Sequence, residues 1–572
     1  TLGDEISGTV ADTWHTTEFG GLHRRGTTHA IVIALEITHR LRRNKRHHAL
    51  FLGDEERAFD NQDRARIAKS LIKHAGDTPA VKRVLQRLNY TVYQSKTGDL
   101  NASAVITQGS IQGDPIGPLL YALSNHDYAT ELLTTHKNTT MIGKKSLLFP
   151  QDASKPNPSL QTIFYLDDEL DIIPFTQAAE VNDHLKRTFD VQDLWGKKLN
   201  YSKCNVLYNI SGRGSKKIRA AIGPTIKIGK RKSIPTTNSV KYLGVMIHSD
   251  GKSTDEVAYR ISQATLAAAR LNRVMKLHRI SRTTKLLFYT AMIRSVLLYA
   301  TEVQVFTDAS LRCLESFQAR CLRRISVSPS HVHKISNFDI RESLNIPSIT
   351  SYLMHKRLRW WQNLFDDKSA LYGVRTAIFG TFDWDPQIPC KRTSPRIKLL
   401  VDDLMHLNTA LPTMLRFDGD FDDCTPDLIK WFVGIPKSRL CDVESHFSCV
   451  ERIHNRLIGP MNKPEFECPQ CHKMFDTRAK CATHRFQTHK FRPAVCNAVI
   501  VNKCPVCRQD FKNIKNAQVH FIKKCSTSLT VQQIDDLSRA ADLHRVHTLN
   551  LGGSSGSQFI YHSLIQAGVR SN

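Results

Sequence analysis

Residues 162–173 read TIFYLDDELDII, and no other stretch limits the fold as tightly. The apolar and β-branched residues on both sides of the aspartate pair suit a buried, pleated strand. Asp167 and Asp168 interrupt that run. A hairpin turn is the plainest explanation, because Asp tolerates turn conformations and caps its own backbone. The alternative is a cation site at a strand end, since Mg²⁺ is a hard cation that prefers oxygen ligands. That alternative needs a third carboxylate from elsewhere in the chain.

The upstream segment ALFLGDEERAFDNQ supplies a candidate. An apolar strand, ALFL, runs into Asp54, and Asp60 follows after Ala58 and Phe59. Between the two segments lies TQGSIQGDPIGPLLYALSNHD, whose glycines and prolines mark a turn before a helix start. Residues 19–247 alternate short apolar, β-branched runs with helical patterns, which predicts a mixed α/β unit. HALFLG, TIFYL and VKYLGVMI read as strands, and THAIVIALEITHRLRR reads as a helix. The basic segment 211–235 reads as a surface hairpin or loop. From about residue 253 to 365 the pattern turns helical, and Ser253 with Glu256 forms a capping-box signature at its start. Pro386, Pro389 and Pro395 mark a boundary. DGDFDD at 418–423 reads as an acidic loop, because the Gly and Glu of a calcium loop are missing.

At 572 residues the chain has room for three or four domains of ~150 residues. Lys plus Arg outnumber Asp plus Glu by 80 to 53, a net charge of +27 that favours a polyanionic partner such as nucleic acid. A generally basic, solvated surface is the alternative. No apolar run reaches the ~18–20 residues that cross a bilayer, so no membrane partner is expected. Several of the 14 Cys fall in tight clusters, the usage of metal sites in a reducing compartment.

CPQCHKMFDTRAKCATHRFQTH spaces Cys468, Cys471, His484 and His489 as a tetrahedral Zn²⁺ set. Cys481 reads as core, not as a fifth ligand. CPVCRQDFKNIKNAQVHFIKKC gives a Cys₃His variant with Cys504, Cys507, His520 and Cys525. Phe475 and Phe511 stand at matching core positions. The connection between the units is too long to assume a fixed ~3 bp per finger. If the first unit read bases, Thr477, Lys480 and Thr483 would face them. A small module contacting phosphates or protein is the alternative.

The segments in sequence resemble the palm of a reverse transcriptase, in particular that of a non-LTR (LINE-type) retrotransposon. LFLGDEERAFD resembles the family's D-x-x-x-A-F-D, QGDPIGPLLY its Q-G-D-P-x-S-P-L-L-F, and YLDD its aromatic-x-D-D. GKKLNYSKCNVLY resembles G-L-x-L-N-x-x-K-T, VKYLGVMI the Y-L-G hairpin, and EFGGLHRRGTTHAI the G-F-R-x-G-R-S-T segment. All six occur in the family's order. SVLLYATEVQVFTDASLRCLESFQARCLRRI and KRLRWWQNLF resemble the helical region that follows the palm.

The resemblance implies an RNA-directed DNA polymerase, a nucleotidyltransferase of α/β (α+β) right-hand architecture. Residues 1–250 would form partial fingers and the palm, and 251–380 a helical thumb or connection region. Residues 381–463 would be mixed and mostly helical with no assigned role. Residues 464–525 would form two small ββα zinc-finger units with one structural Zn²⁺ each, and 526–572 a polar tail. The family's upstream fingers segment has no counterpart here, so an N-terminally truncated chain is expected. Asp54, Asp167 and Asp168 would hold two catalytic Mg²⁺. Asp54 and Asp167 are the expected main ligands, because side chains alternate along a strand and a turn would be needed to bring Asp168 round. Phe59 would screen the sugar 2′ position, with a core Phe as the alternative. Gln112 and Gly113 would lie against nucleotide and template. Lys203 would sit near the triphosphate as a general acid, with a surface Lys as the alternative. Tyr242 and Gly244 would form the primer grip. Gly117 replaces the usual Ser and Cys204 the usual Thr, and neither is expected to touch a metal ligand. The implied partners are an RNA template, a DNA primer or target and dNTPs, in the nucleus after cytoplasmic assembly on RNA. No endonuclease pattern is present. The competing readings are a catalytically inactive, retroelement-derived zinc-finger nucleic-acid-binding protein and an RNA-copying RNA polymerase. QGDP together with YLDD favours reverse transcription over the latter.

Overall fold

Strand pairing around ALFL organises the first part of the chain. The computed structural model describes residues 2–10, 14–15, 17–89, 92–97, 100–110, 114–136, 162–212, 214–228, 232–277, 279–326, 335–366, 371–379, 394–421, 424–457, 466–468, 470–471, 474–475, 478–489, 502–521 and 539. Residues 1–452 and 453–572 are separate units.

The first unit contains β1 (Glu18–Phe19), β2 (His47–Asp54), β3 (Val92–Thr97), β4 (Leu100–Val105), β5 (Thr162–Tyr165) and β6 (Asp168–Phe175). It continues with β7 (Asn205–Asn209), β8 (Thr225–Ile228), β9 (Lys232–Thr237), β10 (Ser239–Tyr242) and β11 (Val245–His248). Its early helices are α1 (Leu2–Thr9), α2 (Thr27–Arg43), α3 (Arg64–Ala75), α4 (Pro79–Asn89), α5 (Gly117–His136) and α6 (Ala178–Leu194). Seven strands form one mixed sheet in the order β1-β5-β6-β2-β7-β9-β8. β2 runs antiparallel to both β6 and β7, which makes it a central strand.

Both faces of β2 are covered, which is why HHALFLGD is nearly unbroken in its burial. Leu50, with Leu170 and Ile172 of β6, packs towards α2, whose Ile31, Ile33 and Ile37 are fully buried. Ala49 and Phe51 face the other way, with Val181, Leu185 and Phe189 of α6. The period-2 strand pattern and the 3.6-period helix pattern thus meet on two distinct cores.

The first of those cores extends far down the chain. Met354, Leu358, Trp360 and Trp361 of the helix Ile349–Asp366 join it, and so do Leu400, Leu404 and Leu407 of the helix Pro395–Ala410. A buried ion pair crosses it: Arg396 Nη1 donates to Glu36 Oε2 at 2.7 Å, and Arg396 Nε donates to the Val303 carbonyl at 2.8 Å. A further cluster joins helices Thr254–Arg270, Asp308–Ser326 and Ile349–Asp366.

The hairpin expected in segment 211–235 is present as β8–β9, preceded by a helix, Ser215–Ala221, and β9 pairs in parallel with β7. The capping box at Ser253 does not form, and Ser253 makes no side-chain cap bond. Glu256 instead accepts from the Met246 amide at 2.6 Å and from Arg260 Nε at 2.6 Å, because the nearby β10–β11 turn competes for its carboxylate. Pro395 opens a helix capped by Ser394, a position where its missing N–H costs nothing. Pro386 and Pro389 lie outside the described residues.

In the second unit, strands Phe466–Glu467 and Met474–Phe475 pair antiparallel and lead into the helix Arg478–His489. A second short helix spans Ile514–His520. Among the described residues no helix is long and apolar enough to cross a membrane.

Two stability predictions follow from the first core. Glu36→Ala leaves Arg396 buried without its counter-ion, and a loss of about 3–5 kcal/mol in denaturant unfolding is expected. The paired variant Glu36→Leu, Arg396→Met should recover most of that loss. The second concerns His48, buried on β2, whose pKa burial lowers to about 4. The folded state keeps this imidazole neutral while the unfolded chain protonates it below pH 6.5. Its contribution is therefore complete above pH 6.5 and is lost as pH falls towards 4. Relative to a His48→Leu variant, the native sequence should lose up to about 1.4 kcal/mol per pH unit across that window.

Candidate active site

Asp54 is the last residue of β2 and stands directly opposite Asp168, the first residue of β6. Cross-strand partners share a face and lie about 4.5–5.5 Å apart at the backbone. Asp168 also pairs with Tyr165 across the β5–β6 hairpin, leaving Leu166 and Asp167 as a two-residue turn. Leu166 holds φ at +56°, a conformation where Gly is the ordinary choice. A branched side chain there is strained, and such strain gathers at functional sites. The Leu166 amide donates to the Phe19 carbonyl at 3.2 Å, which helps hold the turn.

The register gives the two hairpin aspartates different places. Asp168, not Asp167, is the cross-strand neighbour of Asp54. Strict alternation does not extend into the turn, where Asp167 sits. There it lines a cavity of about 10 Å³ with Gly53, Glu55, Glu169, Gln192 and Lys197, room for about one water molecule.

The carboxylates press on one another. Burial, then the charges of Asp167 and Asp54, push Asp168 up to about 6. Asp167 is raised by burial, and by Glu55 and Asp54. An all-oxygen set is the type a hard divalent cation such as Mg²⁺ prefers, although the oxygens of Asp54, Asp167 and Asp168 do not all lie within 4.8 Å of one another.

Lys203 comes to this site: its Nζ lies 3.4 Å from Asp54 Oδ2 while the side chain stays 65% exposed. Cys204 also reaches it, contrary to expectation. The Asp54 amide donates to Cys204 Sγ at 3.4 Å, because β7 pairs beside β2 and turns the buried thiol inward. Burial pushes that thiol up to about 11.

Two residues that the motif reading missed complete the floor. Lys197 donates to Glu55 Oε2 and lies 4.6 Å from the centre of the Tyr128 ring. The Tyr121 hydroxyl donates to the same Glu55 oxygen at 2.8 Å. The available signal was GKKLN, where Lys197 stands at the Leu of the resembled pattern.

Phe59 is half-buried, its ring 4.8 Å from that of Tyr121. Gln112 and Gly113 lie outside the described residues. Asp114 beside them accepts from the Ile116 amide at 3.2 Å and pairs with Arg87 at 2.8 Å. Gly117 is buried at the start of α5. The Tyr242 ring is 2% exposed within the core, and Leu243 and Gly244 form the β10–β11 turn. Those residues have φ of +44° and +84°. Tyr299 donates to the Leu243 carbonyl at 3.0 Å, and Arg260 donates to the Gly244 carbonyl.

In the second unit, ligand atoms of Cys468, Cys471, His484 and His489 lie within 4.8 Å of one another. Cys471 Sγ and His484 Nε2 are 3.1 Å apart. His489 Nε2 is buried without a hydrogen-bond partner among the described residues, which fits a lone pair reserved for Zn²⁺. Cys481 is buried on the helix, and Thr483 is exposed. Cys504, Cys507 and His520 gather in the same way, with Cys507 Sγ 3.0 Å from His520 Nε2. Cys525 and Thr477 lie outside the described residues.

The EFGG segment closes on the aspartate hairpin. A Cβ on Gly20, at φ +81°, would meet Leu166 Cγ at 2.8 Å, and one on Gly21 would meet Pro118 Cβ at 3.1 Å. Gly214, at φ +78°, has open space around it. Ala at either Gly20 or Gly214 carries the left-handed cost of about 1–2 kcal/mol. Gly20→Ala should lose a further ~1–3 kcal/mol by overpacking, read as a larger drop in thermal midpoint than for Gly214→Ala.

No model of a known protein family matches the sequence. No curated protein matches it. Among solved structures, the chain is similar to telomerase from Candida albicans in complex with a fragment of telomeric RNA, at 10% identity and a TM-score of 0.29. That alignment covers 66% of this chain and 57% of the other. It is also similar to apo telomerase from Candida tropicalis, at 10% identity and a TM-score of 0.33, covering 75% and 60%. The Candida tropicalis enzyme with telomeric RNA gives 10% identity and a TM-score of 0.31, covering 76% and 56%. The chain thus spans less than two thirds of the length of each of these telomerase chains.

Proposed function

We propose that the chain is an RNA-directed DNA polymerase of a LINE-type retroelement. The observation that carries this reading is the register that sets Asp54 opposite Asp168, with Asp167 in the adjoining turn. In this reading Asp54, Asp167 and Asp168 together hold two Mg²⁺. When bound, these ions supply a lowered pKa at the primer 3′-hydroxyl and neutralisation of the leaving pyrophosphate.

The protein's own side chains do the rest. Lys197 and Tyr121 hold Glu55 in place, so that the floor beneath Asp167 stays fixed. Lys203 is exposed and close to Asp54, so its flexible stem can carry a proton to the pyrophosphate. Phe59 is braced by Tyr121 and offers its open edge to the sugar 2′ position, favouring dNTPs. The Leu243–Gly244 turn supports the primer with backbone rather than with the Tyr242 ring. The basic surplus attracts an RNA template and a DNA primer. The two Cys/His units each hold a structural Zn²⁺, Cys525 completing the second. The site of action is the nucleus, where the DNA target lies.

Primer extension with dNTPs and Mg²⁺ tests this, on an RNA template beside a matched DNA template. Extension on RNA is expected, with Asp54→Asn or Asp168→Asn reducing it by on the order of a hundredfold or more. Phe59→Ala should retain extension and admit rNTPs. Folded, zinc-loaded protein that binds nucleic acid yet extends neither template would overturn the catalytic reading in favour of a binding protein.

A further inference from the structure

The stretch TIFYLDDELDII holds one more aspartate. Asp171 lies three residues beyond Asp168, on the opposite face of β6, and is 1% exposed. Two histidines converge on it. His136 ends α5 and His184 lies on α6, and they are 3% and 5% exposed. Their rings stack with centroids 3.8 Å apart and planes 10° from parallel. Ligand atoms of all three residues lie within 4.8 Å of one another.

Asp171 has side-chain hydrogen-bond partners, Thr162 of β5 among them. His184 Nε2 is 3.3 Å from Asp171 Oδ2, and Thr188 Oγ1 is 3.4 Å from the same oxygen. Both distances lie beyond the usual range for such bonds. Two ligands on one tetrahedral zinc, each about 2.0–2.1 Å from the ion, stand about 3.3 Å apart. The His184–Asp171 spacing matches that edge.

We infer that His136, Asp171 and His184 form a buried site for one divalent transition-metal ion of the zinc class. Two imidazoles and one carboxylate select a borderline ion over Mg²⁺, whose preference is for oxygen. Binding tilts one imidazole out of the stack, since two parallel rings cannot both direct in-plane lone pairs at one ion. Thr188 Oγ1, 3.0 Å from His136 Nε2, or a water takes the fourth position. The ion would pin α5 and α6 to β6, the strand that carries Asp168. This site is distinct from the finger sites, which contain thiolates, and from the aspartate site, which lacks imidazole.

Cobalt titration of the full chain tests the proposal and needs no polymerase activity. Excess Mg²⁺ keeps cobalt from the aspartates. One equivalent is expected whose spectrum lacks the thiolate-to-cobalt charge-transfer band, beside finger equivalents that show it. His184→Ala should lose that equivalent alone. If His184→Ala does not fold, Asp171→Asn, which preserves volume, should show the same loss. Bound cobalt that all carries the thiolate band would overturn the site, as would a thiolate-free equivalent that survives in the folded variant.

Discussion

The antiparallel register between β2 and β6 is the constraint on which the rest depends. Slipping β6 by one residue would turn Asp168 away from Asp54 and bring Glu169 to its face. The register resists this because both faces of the pair are apolar and buried. Leu50, Leu170 and Ile172 fill one core, and Ala49, Phe51, Ile173 and Phe175 fill the other. A slip would exchange the two sets and place Glu169 and Asp171 among the side chains packed on α2. Both carboxylates are already buried, so the cost of the exchange is the loss of their partners, Tyr128 and Gln192 for Glu169 and His184 for Asp171.

Given that register, the chain must keep several acids together at a strand end. It uses two lysines from one short segment in different ways. Lys197 is largely buried, and it is tied to Glu55 and lies near the Tyr128 ring. It acts as a fixed internal counter-charge. Lys203 is mostly exposed beside Asp54, where solvent screening leaves it little hold. A charge that is weakly held can respond to an incoming anion, whereas a buried one cannot. Burial therefore separates a structural cation from a mobile one, although only five residues lie between them.

Much of this was legible in the sequence because it rests on local periodicity. The strands at ALFL and TIFYL and the α2 helix follow from short-range patterns, whereas VKYLGVMI, read from its residues as one strand, folds as the β10–β11 hairpin that the resemblance implied. The place of Asp167 was not legible, because alternation stops inside a two-residue turn whose first residue adopts positive φ. The burial of Tyr242 was not legible, because it comes from residues brought in by α2 and the helix Ile349–Asp366. Glu256 read as a capping residue because the Met246 amide that claims it belongs to a different element. The same holds for Cys204 at Asp54 and Lys197 at Glu55, each separated by more than a hundred residues along the chain. Such pairings have no local signature.

Physical contact gives the scattered motifs a common reason. EFGG, QGDPIGP and YLDD read as separate segments, yet Gly20 packs on Leu166 and Gly21 on Pro118. The first glycine allows the Phe19 carbonyl to reach the Leu166 amide and hold the aspartate turn. The second allows the same loop to lie against the first turn of α5, whose Tyr121 holds Glu55. A side chain at either glycine would wedge the loop away from what it supports. The strained turn at Leu166 therefore persists because an outside segment braces it, and the geometry of Asp167 and Asp168 depends on residues about 150 positions upstream as directly as on its own strand.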